Sequence, residues 1–323
     1  MKESLNLTRN YPTVRFNIGK YGLLLALIIL CTTLAIITPK FLTLPNLMII
    51  VTQVTINALL AFGVTFVIIT GGIDLSLGSI VAVTSVITAT FARADTYPLV
   101  VPLGLGLLVG LAFGAFNGLV ITKGKVPPFI VTLGTMTIGR GLALILSKGR
   151  PISNLSDAFN YIGGGNLFGI PLPIVILVIV FIICTLLLKK TIMGRYVYAV
   201  GGNELAARAS GISVNRVKMF VYTLGGGLAA LGGIILTSRI STGQPNVGIG
   251  FELSAIAAAI IGGTSTSGGV GSITGTLLGA LLIGVISNSL DLLNVTSYYQ
   301  SVLMGLIIIG AVLLDSLNKN KGN

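Results

Sequence analysis

Two short polar stretches interrupt long apolar runs and hold the side chains best suited to chemistry inside those runs. In the first, GGIDLSLGS, Asp74 follows the glycine pair Gly71–Gly72. In the second, GGTSTSGG, the hydroxyl residues 264–267 stand between two glycine pairs. An ionised carboxylate within apolar sequence is costly and must be paired, capped or hydrated. Asp74 is therefore expected to cap the helix that follows or to line a polar path, and the two roles are compatible.

A third polar stretch, residues 198–220, is unusually basic. Six basic residues and one acid, Glu204, occur between Lys189 and Lys218, although only 9% of the chain is charged. Such a segment between two apolar runs is either an ordinary amphipathic surface helix or a docking element for a partner.

Within this stretch the sequence predicts a short helix over residues 204–209. Gly201–Gly202 ends the preceding element, Asn203 is a suitable N-cap, and Ser210–Gly211 ends the short helix. A second helix is expected to begin near Val214.

Several kinds of chemistry lack their usual residues. The chain has no histidine, which is the commonest general base and metal ligand. Its eight acidic residues are scattered, so no carboxylate pair is available for acid–base catalysis and an enzyme is not expected. No lysine stands in the register of a phosphate-binding loop, so the chain is not expected to bind ATP by itself. Cys31 and Cys184 lie in apolar runs, and we expect no disulfide, metal or other cofactor on this chain.

The composition is typical of a polytopic membrane protein. Hydrophobic residues make up 54% of the 323 residues, and the mean hydropathy is +1.00. About 20 apolar helical residues span a bilayer, and the chain offers such runs almost end to end. Forty-three glycines fit helices that pack closely in lipid. We therefore expect an all-α transmembrane bundle formed by a single domain over residues 1–323.

Apolar runs and their breakers predict about ten helices, with interruptions near Gly71–Asp74 and Gly262–Ser267. The stretches around the two interruptions, residues 68–80 and 260–273, are loosely alike, and breaks at corresponding places in two halves indicate a transport path. The eighth helix is too short to span a bilayer. The predicted helices lie near residues 20–38, 46–70, 73–92, 97–122, 127–147, 171–189, 214–238, 250–263, 268–290 and 297–317.

Four glycines recur every fourth residue on one face of the fourth predicted helix. Such a face permits close contact between helices. We expect it to pack inside the subunit, and a subunit interface is the alternative. These residues are Gly106, Gly110, Gly114 and Gly118.

The formal net charge of +12 is best explained by orientation in a membrane. Binding to nucleic acid would need clustered basic and aromatic residues on a soluble face, and no such domain is present. Under the positive-inside rule, a cytoplasmic N-terminal segment (1–19) and ten crossings place the segment 190–213 and the tail 318–323 in the cytoplasm. The stretch 148–171, which is rich in glycine and asparagine, then becomes an external loop. The first apolar run has no cleavage site, so a retained span is expected.

Four longer stretches resemble the permease subunits of sugar ABC importers of the ribose branch. They are GGIDLSLGS, GRYVYAVGGNELAARASGI, GFELSAIAAAIIGGTS and NVTSYYQSVLMGLIII, and the likeness covers about residues 40–314. It implies the transmembrane permease subunit of an ATP-driven, binding-protein-dependent sugar importer in the bacterial inner membrane. The likeness favours ribose as the substrate, with autoinducer-2, xylose and galactose-type sugars as alternatives.

The resemblance also implies three protein partners. A second permease copy completes a homodimer, a cytoplasmic subunit binds and hydrolyses ATP with Mg²⁺, and a periplasmic sugar-binding protein delivers the substrate. The short helix 203–209 is then the coupling helix that fits a cleft in the ATPase. The general signature Glu-Ala-Ala-x-x-x-Gly is only partly met, because Leu205 stands where the acid belongs. The residues implied in ATPase coupling are Gly202, Asn203, Glu204, Ala206, Ala207, Arg208 and Gly211.

We expect the path to be lined by the second, third and eighth helices with parts of the fifth and ninth. A neutral pentose needs hydroxyl-compatible partners, and these are supplied by Thr70, Asp74, Ser76, Thr264, Ser265, Thr266 and Ser267. A soluble binding protein commonly docks through acidic residues. The basic residues expected to face it are Arg93, Lys148, Arg150 and Arg239.

A proton-coupled secondary sugar transporter, with Asp74 as the proton carrier, is the competing interpretation. It would work without an ATPase. Asp74→Asn should abolish uptake by such a transporter, whereas an ATP-driven permease should tolerate it in part.

Overall fold

The computed structural model describes residues 18–93 and 97–320, which form thirteen helices and one hairpin of two short strands. Ten helices correspond to the predicted ones: α1 (Ile18–Ile37), α2 (Leu44–Ile69), α3 (Leu77–Phe91), α4 (Val100–Lys123), α5 (Pro128–Ser147), α7 (Leu172–Lys190), α10 (Val214–Ile240), α11 (Phe251–Ile261), α12 (Ile273–Leu292) and α13 (Ser297–Asn320). The shorter elements are α6 (Asp157–Gly164), α8 (Ile192–Gly202), α9 (Glu204–Ala209), β1 (Asn166–Leu167) and β2 (Ile170–Pro171). The all-α prediction is confirmed. Most of the predicted segment 1–19 and half of the predicted tail 318–323 lie outside the described residues.

Within the described ranges, six helices are long and apolar enough to cross a membrane: α2, α4, α5, α7, α10 and α12. The apolar parts of α1, α3, α11 and α13 are shorter, between 10 and 17 residues. The eighth predicted helix, α11, is short as expected. Irregular chain precedes both α3 and α11.

Two helices begin four or five residues later than the sequence predicts. α3 begins at Leu77 rather than near residue 73, and α12 begins at Ile273 rather than near residue 268. The chain first turns through glycines with positive φ, which are Gly71 before α3 and Gly268 and Gly269 before α12. A left-handed residue ends a helix but does not start the next one, so several residues of irregular chain follow each turn.

The stretch 148–171, predicted as an external loop, contains α6 and the hairpin. Ser156 caps α6, because its Oγ accepts a hydrogen bond from the backbone N–H of Phe159. The Phe159 ring is fully buried, and the Ser238 hydroxyl of α10 donates a hydrogen bond to the Phe159 carbonyl oxygen at 2.6 Å. One cap and one buried ring therefore order a stretch whose composition predicted a loop.

The glycine face of α4 packs against α10. An added Cβ at Gly110 would meet the carbonyl oxygen of Gly226, and one at Gly114 would meet the carbonyl oxygen of Tyr222. The remaining two glycines of the face lie against Ile234 and Met219 of the same helix. The prediction that this face packs inside the subunit is confirmed.

The chain between α10 and α11 forms an irregular segment that the apolar pattern does not predict. We call residues 241–250 the re-entrant segment. Gly243 lies beside Ala89 near the C-terminal end of α3, and Gly248 lies beside Gly78 near its N-terminal end. The segment therefore runs alongside α3 before α11 begins.

Candidate functional site

A buried chain of polar side chains links the first helix break (residues 70–76) to α4 and α5. Asp74 is fully buried, and its Oδ1 accepts hydrogen bonds from the backbone N–H and the hydroxyl of Ser76 at 2.9 and 2.6 Å. Asn117 of α4 donates through Nδ2 to Ser76 Oγ at 2.9 Å, and its Oδ1 accepts from Thr135 of α5 at 2.8 Å. The first break is therefore fixed to two neighbouring spans.

The sequence led us to expect that Asp74 caps the first turn of α3, but it does not. The residue before the helix is Ser76, and Asp74 bonds to Ser76 because the helix begins later than predicted. The second carboxylate oxygen, Oδ2, has no hydrogen-bond partner among the described residues. Within residues 18–93 and 97–320, no group of three or more Asp, Glu or Cys residues could hold a metal ion.

The second helix break (residues 262–272) lies against the first. The backbone N–H of Gly269 donates to the carbonyl oxygen of Ile69 at 2.8 Å, and Gly268 lies against the same carbonyl group. Thr264 is buried, and its hydroxyl has no partner in the described part of the chain. The two stretches that look alike in sequence are thus neighbours in space.

The residues predicted to line the path differ in their exposure. Thr70, Asp74, Ser76 and Thr264 are buried, Ser265 is half-buried, and Thr266 and Ser267 are exposed. In this conformation the exposed hydroxyl groups of the set therefore belong to the second break.

The short helix α9 forms over the predicted residues, and we call the end of the bundle that carries it the α9 end. Asn203 caps it, because its Oδ1 accepts a hydrogen bond from the backbone N–H of Ala206 at 2.9 Å. Gly211, with φ of 82°, provides the left-handed residue that follows the helix. Ala207 is buried, whereas the Leu205 side chain is 79% exposed. One face of α9 thus packs on the bundle and the other is open.

Glu204 joins α9 to α10. Its carboxylate accepts a hydrogen bond from the Lys218 ammonium of α10 at 2.7 Å and a longer one from Arg208 at 3.2 Å. The hydrogen bond from Lys218 is the main reason that the pKa of the Glu204 carboxyl is lowered from its ordinary value. The ion pair with Lys218 therefore orients α9 relative to a membrane-spanning helix.

α8 contacts both helix breaks. The Tyr198 hydroxyl donates to the carbonyl oxygen of Gly271 in the second break at 2.7 Å. An added Cβ at Gly201 would meet the carbonyl oxygen of Ile69 at the first break and the backbone nitrogen of Gly269 at the second. The last turn of α8, directly before α9, is therefore packed backbone to backbone against both breaks.

The four basic residues predicted to face a soluble partner lie at the end of the bundle opposite α9. Arg93, Lys148 and Arg150 are exposed. Arg239 is half-buried and lines a cavity of about 750 Å³ between α2, α10, α11, α12 and α13. Three of the four are therefore open to a docking protein, and the fourth faces the cavity.

Two isolated β-bridges tie these exposed residues to the re-entrant segment. One bridge joins Arg93 to Leu155. The other joins Ile152 to Gly243 through two backbone hydrogen bonds of 2.8 Å each. Backbone hydrogen bonds thus connect the chain that carries the exposed basic residues to the start of the re-entrant segment.

Reasoning from the sequence missed two charged residues beside the re-entrant segment. The Arg140 guanidinium of α5 donates a hydrogen bond to the carbonyl oxygen of Val247. Glu252 of α11 is 8% exposed, lies against Gly78, and its Oε2 has no hydrogen-bond partner within the described ranges. A charge inside an apolar helix is itself a signal of function. It was overlooked because neither residue lies in a glycine-rich break.

Comparison with known proteins gave one family model and several similar permeases. The model described as "Branched-chain amino acid transport system / permease component" matches residues 46–312. The chain is 45% identical to the ribose import permease of Haemophilus influenzae over 315 residues, 96% of this chain and 97% of that protein. It is 50% identical to the ribose import permease of Bacillus subtilis over 298 residues, 92% of each chain. It is 39% identical to the L-arabinose transport system permease of Escherichia coli over 308 residues, 94% of each chain. No solved structure matches the chain.

Proposed function

Because the chain belongs to the family described as "branched-chain amino acid transport system / permease component", we propose that it is the membrane-spanning subunit of an ATP-driven, binding-protein-dependent importer of ribose. The two ribose import permeases, at 45% and 50% identity over more than nine-tenths of this chain, support ribose as the substrate. Autoinducer-2, xylose and galactose-type sugars are the alternative substrates.

The arrangement of α9 carries this proposal. It is a capped helix with an open face, and the chain on both sides of it is tied to elements that we assign to the transport path. Through Tyr198 and Gly201, α8 contacts both helix breaks, and α10 holds Glu204 through Lys218. A subunit that binds α9 and moves would therefore displace α8 and α10 together.

We assign the contact with the ATPase to the residues around α9. Leu205 adds an apolar side chain that projects from the open face. Ala207 packs inward, so its role is to seat the helix, and Glu204 fixes its orientation. The exposed members of the coupling set are Gly202, Asn203, Ala206, Arg208 and Gly211. The nucleotide and Mg²⁺ belong to the partner, which performs the hydrolysis, so the chain itself is not an enzyme.

We place the α9 end and both termini in the cytoplasm, with the bundle in the bacterial inner membrane. Lys123, Lys189 and Lys190 end α4 and α7 at the α9 end, as the positive-inside rule requires for a cytoplasmic face. Residues 1–323 act as one permease domain. Two copies form a homodimer in lipid, and the translocation path lies between them, lined by the two helix breaks.

The opposite end then faces the periplasm and receives the sugar-binding protein. Arg93, Lys148 and Arg150 are exposed there and offer positive charge to acidic residues on that protein. Arg239 contributes from the wall of the adjoining cavity. Charge reversal of the three exposed residues together should weaken capture of the sugar-loaded binding protein in a pull-down experiment, and unchanged capture would reject this docking surface.

Cross-linking tests the contact with the ATPase. In cells that take up ribose, Ala206→Cys should cross-link to an ATP-hydrolysing subunit. Phe168→Cys, which is also exposed but lies at the opposite end of the bundle, should not. If Ala206→Cys cross-links to no nucleotide hydrolase, α9 is not the coupling helix.

Transport in membrane vesicles tests the energy source. Ribose uptake should require ATP on the α9 side and should persist after a proton gradient is dissipated. Uptake driven by a proton gradient in vesicles without the ATPase would instead establish the proton-coupled transporter with Asp74 as carrier.

A further inference from the structure

The re-entrant segment places irregular backbone beside membrane-spanning helices. Such backbone is tolerated at membrane depth only where protein covers it or where it lines a water-filled cavity. One face of the segment is covered by α3. Gly243, Pro245 and Gly248 are buried on this face, and the backbone N–H of Gln244 donates to the Ser85 hydroxyl at 3.2 Å.

The other face of the segment is polar and open. Gln244 and Asn246 are exposed, whereas their neighbours Gly243 and Pro245 are buried. A primary amide that faced lipid would lose its hydrogen bonds with water and gain none in return. Because the proposed path lies between the two permease copies, the open face meets the second condition by lining water in that path.

Two charged side chains lie at the same depth. α5 packs on α3 where Gly139 meets Ser79, and the next residue, Arg140, donates to the carbonyl oxygen of Val247 in the segment. Glu252, two residues after the segment ends, is buried against Gly78, the residue that Gly248 of the segment also contacts. Opposite charges at membrane depth are retained where they serve a substrate path.

The segment also brings two helix starts together. Gly248 contacts Gly78, so the N-terminal ends of α3 and α11 meet beside the charged pair. The two helices run from this point in different directions along the bundle, because α3 ends opposite the α9 end and α11 leads to the second break. Discontinuous helices that meet near mid-depth are typical of substrate sites in transporters.

We propose that Arg140, Gln244 and Asn246 form a contact site for a neutral polyhydroxylated solute midway along the path. Each amide offers hydrogen-bond donors and an acceptor to hydroxyl groups, and the guanidinium adds donors. Glu252 balances the charge of Arg140, so the site as a whole suits an uncharged sugar. The sugar as the class of solute rests on the proposed function, whereas the position of the site rests on the geometry alone.

Thiol labelling tests the position. In a background in which Cys31 and Cys184 are replaced by serine, Asn246→Cys should react with a charged, membrane-impermeant thiosulfonate added from the side opposite α9. Ile183→Cys is the matched control, because it is 54% exposed on an apolar face of α7. Asn246→Cys should react at least about tenfold faster, and equal rates would overturn the proposal.

Uptake tests the contact with the solute. Asn246→Leu should lower the maximal ribose uptake rate about tenfold. Leucine cannot bond the sugar hydroxyl group that the asparagine amide would bond, and the loss of one hydrogen bond lowers a rate by about this factor. Asn246→Gln should retain most of the uptake, because the amide is preserved. Equal uptake by the leucine variant and the unsubstituted protein, at equal amounts in the membrane, would overturn the proposal.

The two experiments fail in different ways. If the unsubstituted protein takes up ribose without ATP, the proposed function is wrong, but labelling of Asn246→Cys still decides whether the segment lines a water-filled path. If uptake depends on ATP and Asn246→Cys is inert, the proposed function stands and the contact site is rejected.

Discussion

The Tyr198 hydroxyl is bonded to the carbonyl oxygen of Gly271 at 2.7 Å, and this bond joins the helix before α9 to the second helix break. The same helix touches the first break, because Gly201 lies against the carbonyl oxygen of Ile69. Both breaks are therefore in contact with α8, the helix that directly precedes α9, where we propose that the ATPase binds.

Removing this hydroxyl should weaken the coupling of ATP hydrolysis to transport. In Tyr198→Phe, one hydrogen bond worth about 1 kcal/mol is lost, so a state that depends on it should be populated about fivefold less. We expect the number of sugar molecules moved per ATP to fall, measured in proteoliposomes with the complete importer. Tyr196→Phe is the control, because this neighbouring tyrosine has no hydrogen bond among the described residues. Equal ratios in the two variants would show that the bond has no part in coupling.

The Glu204–Lys218 ion pair should stabilise the α9 region in a pH-dependent way. Hydrogen bonding to Lys218 lowers the pKa of the Glu204 carboxyl, so the stabilisation is fully present above the ordinary pKa of about 4.5 and is lost as the pH falls through the lowered value. Because the Glu204 side chain is 42% exposed, the pair should contribute less than about 1 kcal/mol.

Hydrogen exchange of the α9 amides measures this effect. Glu204→Gln should increase exchange at neutral pH, and the difference from the unsubstituted protein should vanish at low pH. Arg208→Gln should have a smaller effect, since Arg208 is more exposed and its bond is longer. An identical effect of both substitutions would mean that Lys218 does not hold α9.

The packing of α4 on α10 predicts opposite outcomes for two glycines of one helix. Gly114→Ala should prevent normal folding or cost at least about 2 kcal/mol, because an added Cβ would meet the backbone of Tyr222 and Thr223. Gly104→Ala should be neutral, since nothing lies within 4 Å of a Cβ at that position. Thermal unfolding of the purified variants in detergent measures the difference. A stable Gly114→Ala protein would contradict the observed approach of the two helices.

The sequence predicted the elements whose cause is local. The apolar runs predicted the ten helices that correspond to them, and the Asn203 cap with Gly211 predicted α9, because capping depends only on neighbours in the chain. The spacing of the α4 glycines likewise predicted their packing face.

The re-entrant segment could not be found in this way. Its course is fixed by contacts with α3, such as that of Gly248 with Gly78, between residues that are distant in sequence. The role of Asn117 was hidden for the same reason, because its partners, Ser76 and Thr135, come from two other elements. Reasoning from local sequence located the two glycine-rich breaks but not what packs against them.

Asp74→Asn distinguishes the two mechanisms through the geometry of one carboxylate. Oδ1 accepts both hydrogen bonds from Ser76, and an asparagine keeps that oxygen, so the break should retain its shape. We expect ATP-dependent uptake to stay within about threefold of the unsubstituted rate, because replacing a buried carboxylate by an amide leaves both bonds in place. Asp74→Leu is the contrasting variant. It leaves the buried N–H of Ser76 unpaired and should lower stability by about 1–3 kcal/mol together with uptake. Loss of uptake in Asp74→Asn, with a normal amount of folded protein in the membrane, would mean that a proton on Asp74 takes part in transport.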